Sequence, residues 1–220
     1  MSTAPAIKIC CIASVAEARL AINAGAAVLG LVSAMPSGPG VIDDHTVAEI
    51  AAAVAPPTET FLLTSRIRAE TIAEQHRAAG TSALQLVDHV PHDHLRQLRE
   101  LCPGVKLVQV IHVLGDASVD EAIAVAPFVD ALLLDSGNPN LAVKELGGTG
   151  RRHDWATSRR IRDAVWPTPL FLAGGLRADN VAEAIATVLP FGLDLCSSVR
   201  TDGRLDAGKL RSFFAAVHAA

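Results

Sequence analysis

The sequence predicts a single-domain α/β protein of the (β/α)8 class, the TIM barrel, on three observations. Short apolar runs of strand type alternate with alanine-rich stretches of helical period along the whole 220-residue chain. Eight such pairs can be counted, which is the number that closes a barrel. Half of the residues are hydrophobic, so one large core can be buried without a second domain. An open, doubly wound parallel sheet is the alternative architecture.

Every predicted strand is a short apolar run, and every predicted helix is a longer stretch with its apolar residues at helical spacing. In order, the strands are expected at residues 6–12, 27–33, 59–64, 82–87, 105–111, 129–135, 168–172 and 191–196. The helices that follow them are expected at residues 14–25, 44–55, 69–80, 93–102, 118–126, 153–165, 178–189 and 205–218. Short polar side chains mark four helix starts, and glycines mark two helix ends: Ser14, Asp43, Asp93 and Asp179, then Gly25 and Gly80.

The composition excludes several classes of partner. The formal net charge is −4, there is no lysine- or arginine-rich run, and tyrosine is absent, so a nucleic-acid surface is not expected. The first residues lead into a strand without a basic region and a long apolar segment, and no stretch reaches the ~18–20 apolar residues of a membrane span. We therefore expect a cytoplasmic protein, monomeric or homodimeric, that acts on a small molecule without a membrane partner.

The cysteines indicate free thiols. The chain has four, Cys10, Cys11, Cys102 and Cys196, with an adjacent pair but no CxxC spacing. This spacing fits neither a zinc site nor a disulfide framework, and it suits a reducing compartment. We expect no metal and no cofactor.

In a (β/α)8 barrel the chemistry lies at the carboxyl ends of the strands and in the loops that follow them. Those positions hold Cys10, residues 36–40, Thr64–Ser65, Asp88–His89, His112, Asp135, Gly174–Gly175 and Ser197–Ser198. The longest connection follows Asp135, and loops of that length are uncommon unless they carry function or lack order. It contains "GGTG", residues 147–150, which could cover the mouth of the barrel.

The two last units predict a phosphate site. After the seventh strand, Gly174, Gly175 and Leu176 form a turn that leads into a helix, where backbone N–H groups can converge. Ser197 and Ser198 follow the eighth strand, and the loops after strands 7 and 8 recur as a phosphate site in this fold. Glycines that serve only tight packing are the alternative. Gly148 in the long loop could add a further amide.

Several motifs, spread in order over the whole chain, resemble the phosphoribosylanthranilate isomerase family of tryptophan biosynthesis. They are "KIC" at 8–10, "LLLDS" at 132–136, "GGTGRRHDW" at 147–155, "LAGGLRADNVAEAI" at 172–185 and "DLCSSV" at 194–199. The resemblance implies an isomerase that carries out an Amadori rearrangement. It also implies that Cys10 is the general base and that Asp135 is the general acid.

Strand parity gives an independent expectation for the cysteine pair. Side chains alternate between the faces of a strand, so Cys10 should point into the barrel together with Lys8. Asp135 should also point inward, from the other side of the barrel, which suits a reaction that moves a proton from one atom to another. Cys11 should instead face the helices and behave as a small hydrophobe.

The chain departs from the family pattern where the anthranilate should bind. Gly40 stands where the family has an arginine for the carboxylate, and Val87 stands where it has a histidine. Val87, Gly40 and His112 mark the expected aglycone end of the site. A replacement cation could come from Arg66, Arg68, Arg177 or His112. Restoring the arginine with Gly40→Arg is expected to improve catalysis through a charge-assisted contact.

Two alternatives stay open. The "DHVPHDH" loop at 88–94 could hold a divalent metal and support a metal-assisted epimerase or aldolase, although its spacing matches no strong motif and a solvated loop is the simpler interpretation. A phosphometabolite-binding barrel without catalysis is the other alternative. Measurements of turnover and of metal content would separate the isomerase, the metal-assisted enzyme and the binding protein.

Overall fold

Eight parallel strands, hydrogen-bonded to one another in chain order, form the centre of the molecule. The computed structural model describes residues 4–220. The strands are β1 (Ala6–Ile9), β2 (Val28–Val32), β3 (Glu59–Thr64), β4 (Ala83–Leu86), β5 (Lys106–His112), β6 (Ala131–Asp135), β7 (Leu170–Leu172) and β8 (Gly192–Leu195). β1 also pairs with β8, which closes the barrel and excludes the open sheet. The predicted (β/α)8 fold is therefore confirmed.

Eight helices surround the barrel. They are α1 (Val15–Ala24), α2 (Asp44–Ala53), α3 (Ala69–Ala79), α4 (His92–Leu101), α5 (Ala117–Val125), α6 (Trp155–Ala164), α7 (Val181–Val188) and α8 (Ala207–His218). Two short 3-10 helices, Ala126–Phe128 and Ser197–Val199, and a small hairpin of β9 (Arg200–Thr201) and β10 (Arg204–Leu205) complete the described elements. None of the helices between residues 4 and 220 is long and apolar enough to cross a membrane.

The predicted helix ends are confirmed at four positions. Ser14 Oγ accepts a hydrogen bond from the Glu17 N–H at 3.2 Å, and Asp43 Oδ1 accepts one from the Thr46 N–H at 2.8 Å. Gly25 and Gly80 end α1 and α3 in the left-handed conformation that glycine adopts without strain.

Two predicted N-caps are wrong, because each carboxylate binds an arginine instead of the helix end. α4 begins one residue earlier than Asp93, after Pro91, and the Asp93 carboxylate pairs with Arg96. Asn180 precedes α7, while the Asp179 carboxylate pairs with Arg177 at 3.0 Å.

The apolar residues form two layers because side chains alternate across each strand. Outward-facing residues such as Leu29 and Leu62 pack under the helices in the larger cluster. Inward-facing residues such as Val28, Phe61 and Leu133 fill the barrel itself. The inner cluster ends in polar side chains at the carboxyl ends of the strands, which is where the site lies.

Candidate active site

A cavity of about 190 Å³ opens at the carboxyl ends of the strands. The cavity lies over the barrel interior, between the ends of β1, β6, β7 and β8 and the loops that follow β2 and β6. Eight of the predicted site residues line it: Cys10, Asp135, Gly148, Gly174, Gly175, Leu176, Ser197 and Ser198. Side chains from opposite walls of the barrel therefore face one common space.

Cys10 sits directly above a buried ion pair. Lys8 Nζ donates a hydrogen bond to Asp194 Oδ1 at 2.9 Å, and the Lys8 side chain is entirely buried. Burial opposes a charge on Lys8, but Asp194 and the nearby thiols outweigh it and raise the pKa of Lys8 above its ordinary value. A Cβ at Gly30 of β2 would lie 2.9 Å from both Cys10 Sγ and Lys8 Nζ, so glycine is required there.

Cys11 does not face the helices, and the parity expectation for it is wrong. β1 ends at Ile9, and Cys11 has a φ of +63°, so the alternation of side chains stops before it. Its Sγ lies 2.7 Å from Cys196 Sγ and 3.6 Å from the Pro39 carbonyl oxygen, and its side chain lines the cavity. The neighbouring thiols of Cys10 and Cys196, together with burial, raise the pKa of the Cys11 thiol.

Asp135 ends β6 with one carboxylate oxygen held and the other facing the long loop. Oδ1 accepts hydrogen bonds from the Ser136 N–H at 2.7 Å and from Ser136 Oγ at 3.4 Å. A Cβ at Gly147 would lie 2.6 Å from Oδ2, so the loop can approach only as glycine. Burial raises the pKa of Asp135, although the Ser136 N–H and His112 act in the opposite direction. The protonated carboxyl group is thereby favoured relative to a free aspartate.

A turn that contains two adjacent glycines lies beside Asp135. Gly174 and Gly175 have φ values of +82° and +64°, and a Cβ at Gly175 would lie 2.9 Å from the Arg152 nitrogen. The Asn180 side chain fixes this turn, since its Oδ1 accepts from the Arg177 N–H at 2.8 Å and its Nδ2 donates to the Gly175 carbonyl at 3.0 Å. The 3-10 helix that starts at Ser197 forms the opposite edge. We define these residues as the anion cradle: Gly174–Leu176 and Ser197–Ser198.

The long loop after β6 folds across the mouth toward the loop after β2. Lys144 Nζ binds Asp88 Oδ2 at 2.6 Å, and Ser37 Oγ donates to the Lys144 carbonyl. Gly148 packs so tightly on Pro39 that a Cβ would overlap its ring. The cavity under this loop has an apolar side made by Val32, Met35, Leu63 and Leu146. The "GGTG" segment therefore forms part of the roof of the cavity.

The three positions expected at the aglycone end do not line the cavity, for steric reasons. Gly40 has a φ of +76°, and the place of its missing Cβ is filled by Cys11. Val87 is buried in the barrel interior. His112 is buried as well, with Nε2 bonded to the Val87 carbonyl at 3.0 Å and the ring packed against Gly137. The expected gain from Gly40→Arg is therefore incompatible with this geometry.

Among the four candidate replacement cations, Arg177 is the one that lines the cavity. It directly follows Leu176 of the anion cradle, and its guanidinium pairs with Asp179 at the surface. Arg66 binds the Thr71 carbonyl and Arg68 pairs with Glu70, both at the surface.

The side chains of the 88–94 loop diverge. Asp88 pairs with Lys144, His89 lies 4.0 Å from Glu121, and the His92 ring stacks on Phe128. No group of three or more histidine, cysteine or carboxylate side chains placed to hold a metal ion occurs in the described part of the chain. The geometry therefore does not favour the metal-assisted alternative.

Three polar residues of the site escaped the sequence analysis. Asp194 could have been found, because alternation along β8 places it inward, and it pairs in register with Lys8. Cys196 could not, since its contact with Cys11 depends on the broken parity of the first loop. Gln85 also lines the cavity, and its Oε1 is buried without a hydrogen-bond partner in residues 4–220.

A family model and sequence relatives show which family the chain belongs to. The family model described as N-(5'phosphoribosyl)anthranilate (PRA) isomerase matches residues 7–216. An N-(5'-phosphoribosyl)anthranilate isomerase of Halorubrum lacusprofundi is 36% identical, over 95% of this chain and 94% of that protein. A second such isomerase, from Methanosarcina mazei, is 34% identical over 94% of this chain and 91% of its own.

Solved structures agree with these relatives. The phosphoribosyl anthranilate isomerase of Thermus thermophilus superposes with a TM-score of 0.81 at 25% identity, covering 97% of this chain and 98% of that one. The enzyme of Thermotoga maritima gives a TM-score of 0.83 at 24% identity, which supports the fold alone, over 98% of this chain and all of that one. From the match of the family model and the identity to these relatives over nearly the whole sequence, the chain belongs to the N-(5'-phosphoribosyl)anthranilate isomerase family.

Proposed function

We propose that this protein is an isomerase that converts N-(5'-phosphoribosyl)anthranilate into its 1-deoxyribulose 5-phosphate isomer, an Amadori rearrangement in tryptophan biosynthesis. One observation carries the assignment beyond family membership. A single cavity brings together a thiol, Cys10, a carboxyl group with a raised pKa, Asp135, and the anion cradle. These are an acid, a base and a phosphate anchor, which is what the rearrangement needs.

In the proposed mechanism, the anion cradle holds the 5'-phosphate through backbone N–H groups. The two glycines have positive φ values and let residues 150–153 pack directly against the turn, which holds its backbone in place at the edge of the cavity. Ser197 and Ser198 supply the other edge. This anchoring would place the furanose ring between Asp135 and Cys10, with the aromatic ring toward the apolar side of the cavity.

Asp135 acts as the general acid. It gives its proton to the ring oxygen, the ring opens, and the C1'–nitrogen bond becomes a Schiff base. The raised pKa supports this role because it keeps a proton on the carboxyl group at a pH at which a free aspartate has lost it. The held Oδ1 leaves Oδ2 directed toward the cavity roof at Gly147.

Cys10 acts as the general base. It removes the C2' proton of the Schiff base, which gives an enolamine, and tautomerisation of the enolamine to the ketone returns both side chains to their starting protonation states. The number of atoms is unchanged over the cycle, so no co-substrate is required. The Lys8–Asp194 pair lies beneath the thiol and fixes the floor of the site.

Turnover of N-(5'-phosphoribosyl)anthranilate, followed by chromatographic separation of the two isomers, tests this proposal. Cys10→Ala and Asp135→Asn should each reduce kcat by about 10²–10⁴-fold. Cys102→Ala is the matched control, because Cys102 is buried in the outer apolar layer away from the cavity. Binding of the substrate without turnover by the unmodified protein would instead support a phosphosugar-binding barrel.

We also propose that the enzyme acts in the cytoplasm, as a single folding domain, monomeric or homodimeric, and without nucleic acid. Its four free cysteines suit a reducing compartment. Light scattering coupled to gel filtration would give the oligomeric state, and one cooperative unfolding transition would support a single domain.

A further inference from the structure

Three thiols meet in the cavity, although the proposed rearrangement uses only one of them. The loops after the adjacent strands β1 and β8 carry these thiols, and the Cys10 N–H donates to the Leu195 carbonyl at 2.7 Å. Cys11 directly follows Cys10 in the chain, and its Sγ lies 2.7 Å from Cys196 Sγ. The proposed rearrangement gives no role to the contact between the Cys11 and Cys196 thiols in this cavity.

We propose that Cys11 and Cys196 are a peroxide-sensitive thiol pair, whose oxidation to a disulfide switches the site off. The geometry supports the bond. A disulfide joins its sulfurs at about 2.03–2.05 Å, so the two sulfurs need to approach by only about 0.7 Å. Pairing of β1 with β8 already holds the two chain segments side by side, with Ile9 opposite Leu195.

Cys196 is the thiol that meets the oxidant. It lines the cavity and is partly exposed, whereas Cys11 is buried. The hydrogen bond with Cys11 holds the pKa of Cys196 below its ordinary value, against the effect of burial and with help from Arg200. Low pKa and access together make a cysteine prone to oxidation.

The step is balanced with hydrogen peroxide as oxidant. The Cys196 thiolate attacks one peroxide oxygen, the O–O bond breaks, and a sulfenic acid and hydroxide result. Cys11 sulfur then attacks the Cys196 sulfur, the S–O bond breaks, and a second hydroxide leaves. The two thiol protons neutralise the two hydroxides, so two thiols and one peroxide give one disulfide and two waters.

The bond would disturb both ends of the site. Cys11 directly follows the proposed base Cys10, and Cys196 directly precedes Ser197 at the edge of the anion cradle. A displacement of about 1 Å in a positioned group can cost 10²-fold in rate. The loss of turnover rests on the proposed function, whereas the formation of the bond does not.

The bond is tested first, without any activity assay. The full-length reduced protein is treated with hydrogen peroxide, remaining thiols are alkylated, and peptides are mapped with and without reduction. We expect two free thiols to disappear and a peptide containing Cys10 and Cys11 to be linked to the peptide of Cys196. Since Cys10 and Cys11 share one tryptic peptide, Cys10→Ala should keep the link and Cys11→Ala should lose it. A link that persists in Cys11→Ala, or no link in either the unmodified protein or Cys10→Ala, overturns the proposal.

Turnover is measured in parallel on the same samples. The oxidised protein should lose about tenfold or more in kcat/KM and recover it on addition of dithiothreitol. The kcat/KM of Cys196→Ser should fall far less on peroxide treatment than that of the unmodified protein. Cys102→Ala, away from the cavity, should respond like the unmodified protein. A mapped link with unchanged kcat/KM would overturn the switch. A reduced protein without turnover would contradict the proposed function, while the peptide map would still decide the bond.

Discussion

Replacing Asp194 with asparagine should strongly destabilise the barrel, because it leaves the charge of Lys8 buried and unpaired. The Lys8 side chain is 0% exposed and the Asp194 side chain 8% exposed, with 2.9 Å between Nζ and Oδ1. Removing one partner of a buried ion pair costs about 3–5 kcal/mol. At roughly 2–4 °C per kcal/mol for a chain of this size, the Tm should fall by about 6–20 °C.

Urea unfolding followed by circular dichroism measures this cost. With a slope near the upper end of about 1–3 kcal/mol per molar urea, the midpoint should fall by about 1–2 M. Lys8→Met combined with Asp194→Asn should recover most of the loss, since no buried charge is left. Asp163→Asn is the matched control, because the Arg159–Asp163 pair has a similar distance of 2.8 Å but lies on the surface.

If Asp194→Asn and Asp163→Asn had the same urea unfolding midpoint, the reasoning would be refuted. A double variant no more stable than Asp194→Asn would also contradict it, since the destabilisation would then not come from the unpaired lysine. Both variants should be compared at the same pH, because the pair is charged on both sides only between the pKa values of its members.

Four other substitutions probe the cavity. Gly175→Val should raise KM for the phosphosugar at least about tenfold in steady-state kinetics, because φ is +64° there and the new side chain would push the backbone of residues 150–152 away from the turn. Ser197→Ala should raise KM only modestly if main-chain amides hold the phosphate; equal effects would contradict this. Gly40→Arg should lower both kcat/KM and Tm, since its Cβ would overlap Cys11; improved turnover would show that the loop can move aside. Asp135→Asn should raise Tm at neutral pH, because burial raises the pKa of the carboxyl group and stability is lost as pH rises above the unfolded value of about 3.9. That gain should vanish as the pH falls to about 4 and below, and a gain that persists there in thermal unfolding would contradict the assignment.

The barrel could be predicted from the sequence because its signals are local. Apolar runs of strand length and helical periodicity depend on near neighbours, and β2, β3 and β6 lie within a residue or two of their predicted bounds. The N-caps Ser14 and Asp43 are equally local. Asp93 and Asp179 failed as caps because each has an arginine within reach, and a carboxylate can bind a side chain in place of a helix end.

The positions of Cys10 and Asp135 at the mouth of the barrel also followed from the sequence, since the carboxyl ends of all parallel strands meet at one face. What the sequence could not give is the environment of Cys11. Alternation predicts a side chain only while the strand continues, and the left-handed backbone at Cys11 turns its thiol into the cavity.

The remaining features arise between residues far apart in the chain, and only the tertiary structure decides them. Closure of β1 on β8 brings Lys8 to Asp194 and Cys11 to Cys196. The fold of the first two loops fills the space beside Gly40 with Cys11, which no local pattern records. The sequence therefore determined the barrel and the face that carries its chemistry, because those follow from periodicity and strand direction. The contacts within the site were decided by the closed barrel, because they depend on which distant residues it brings together.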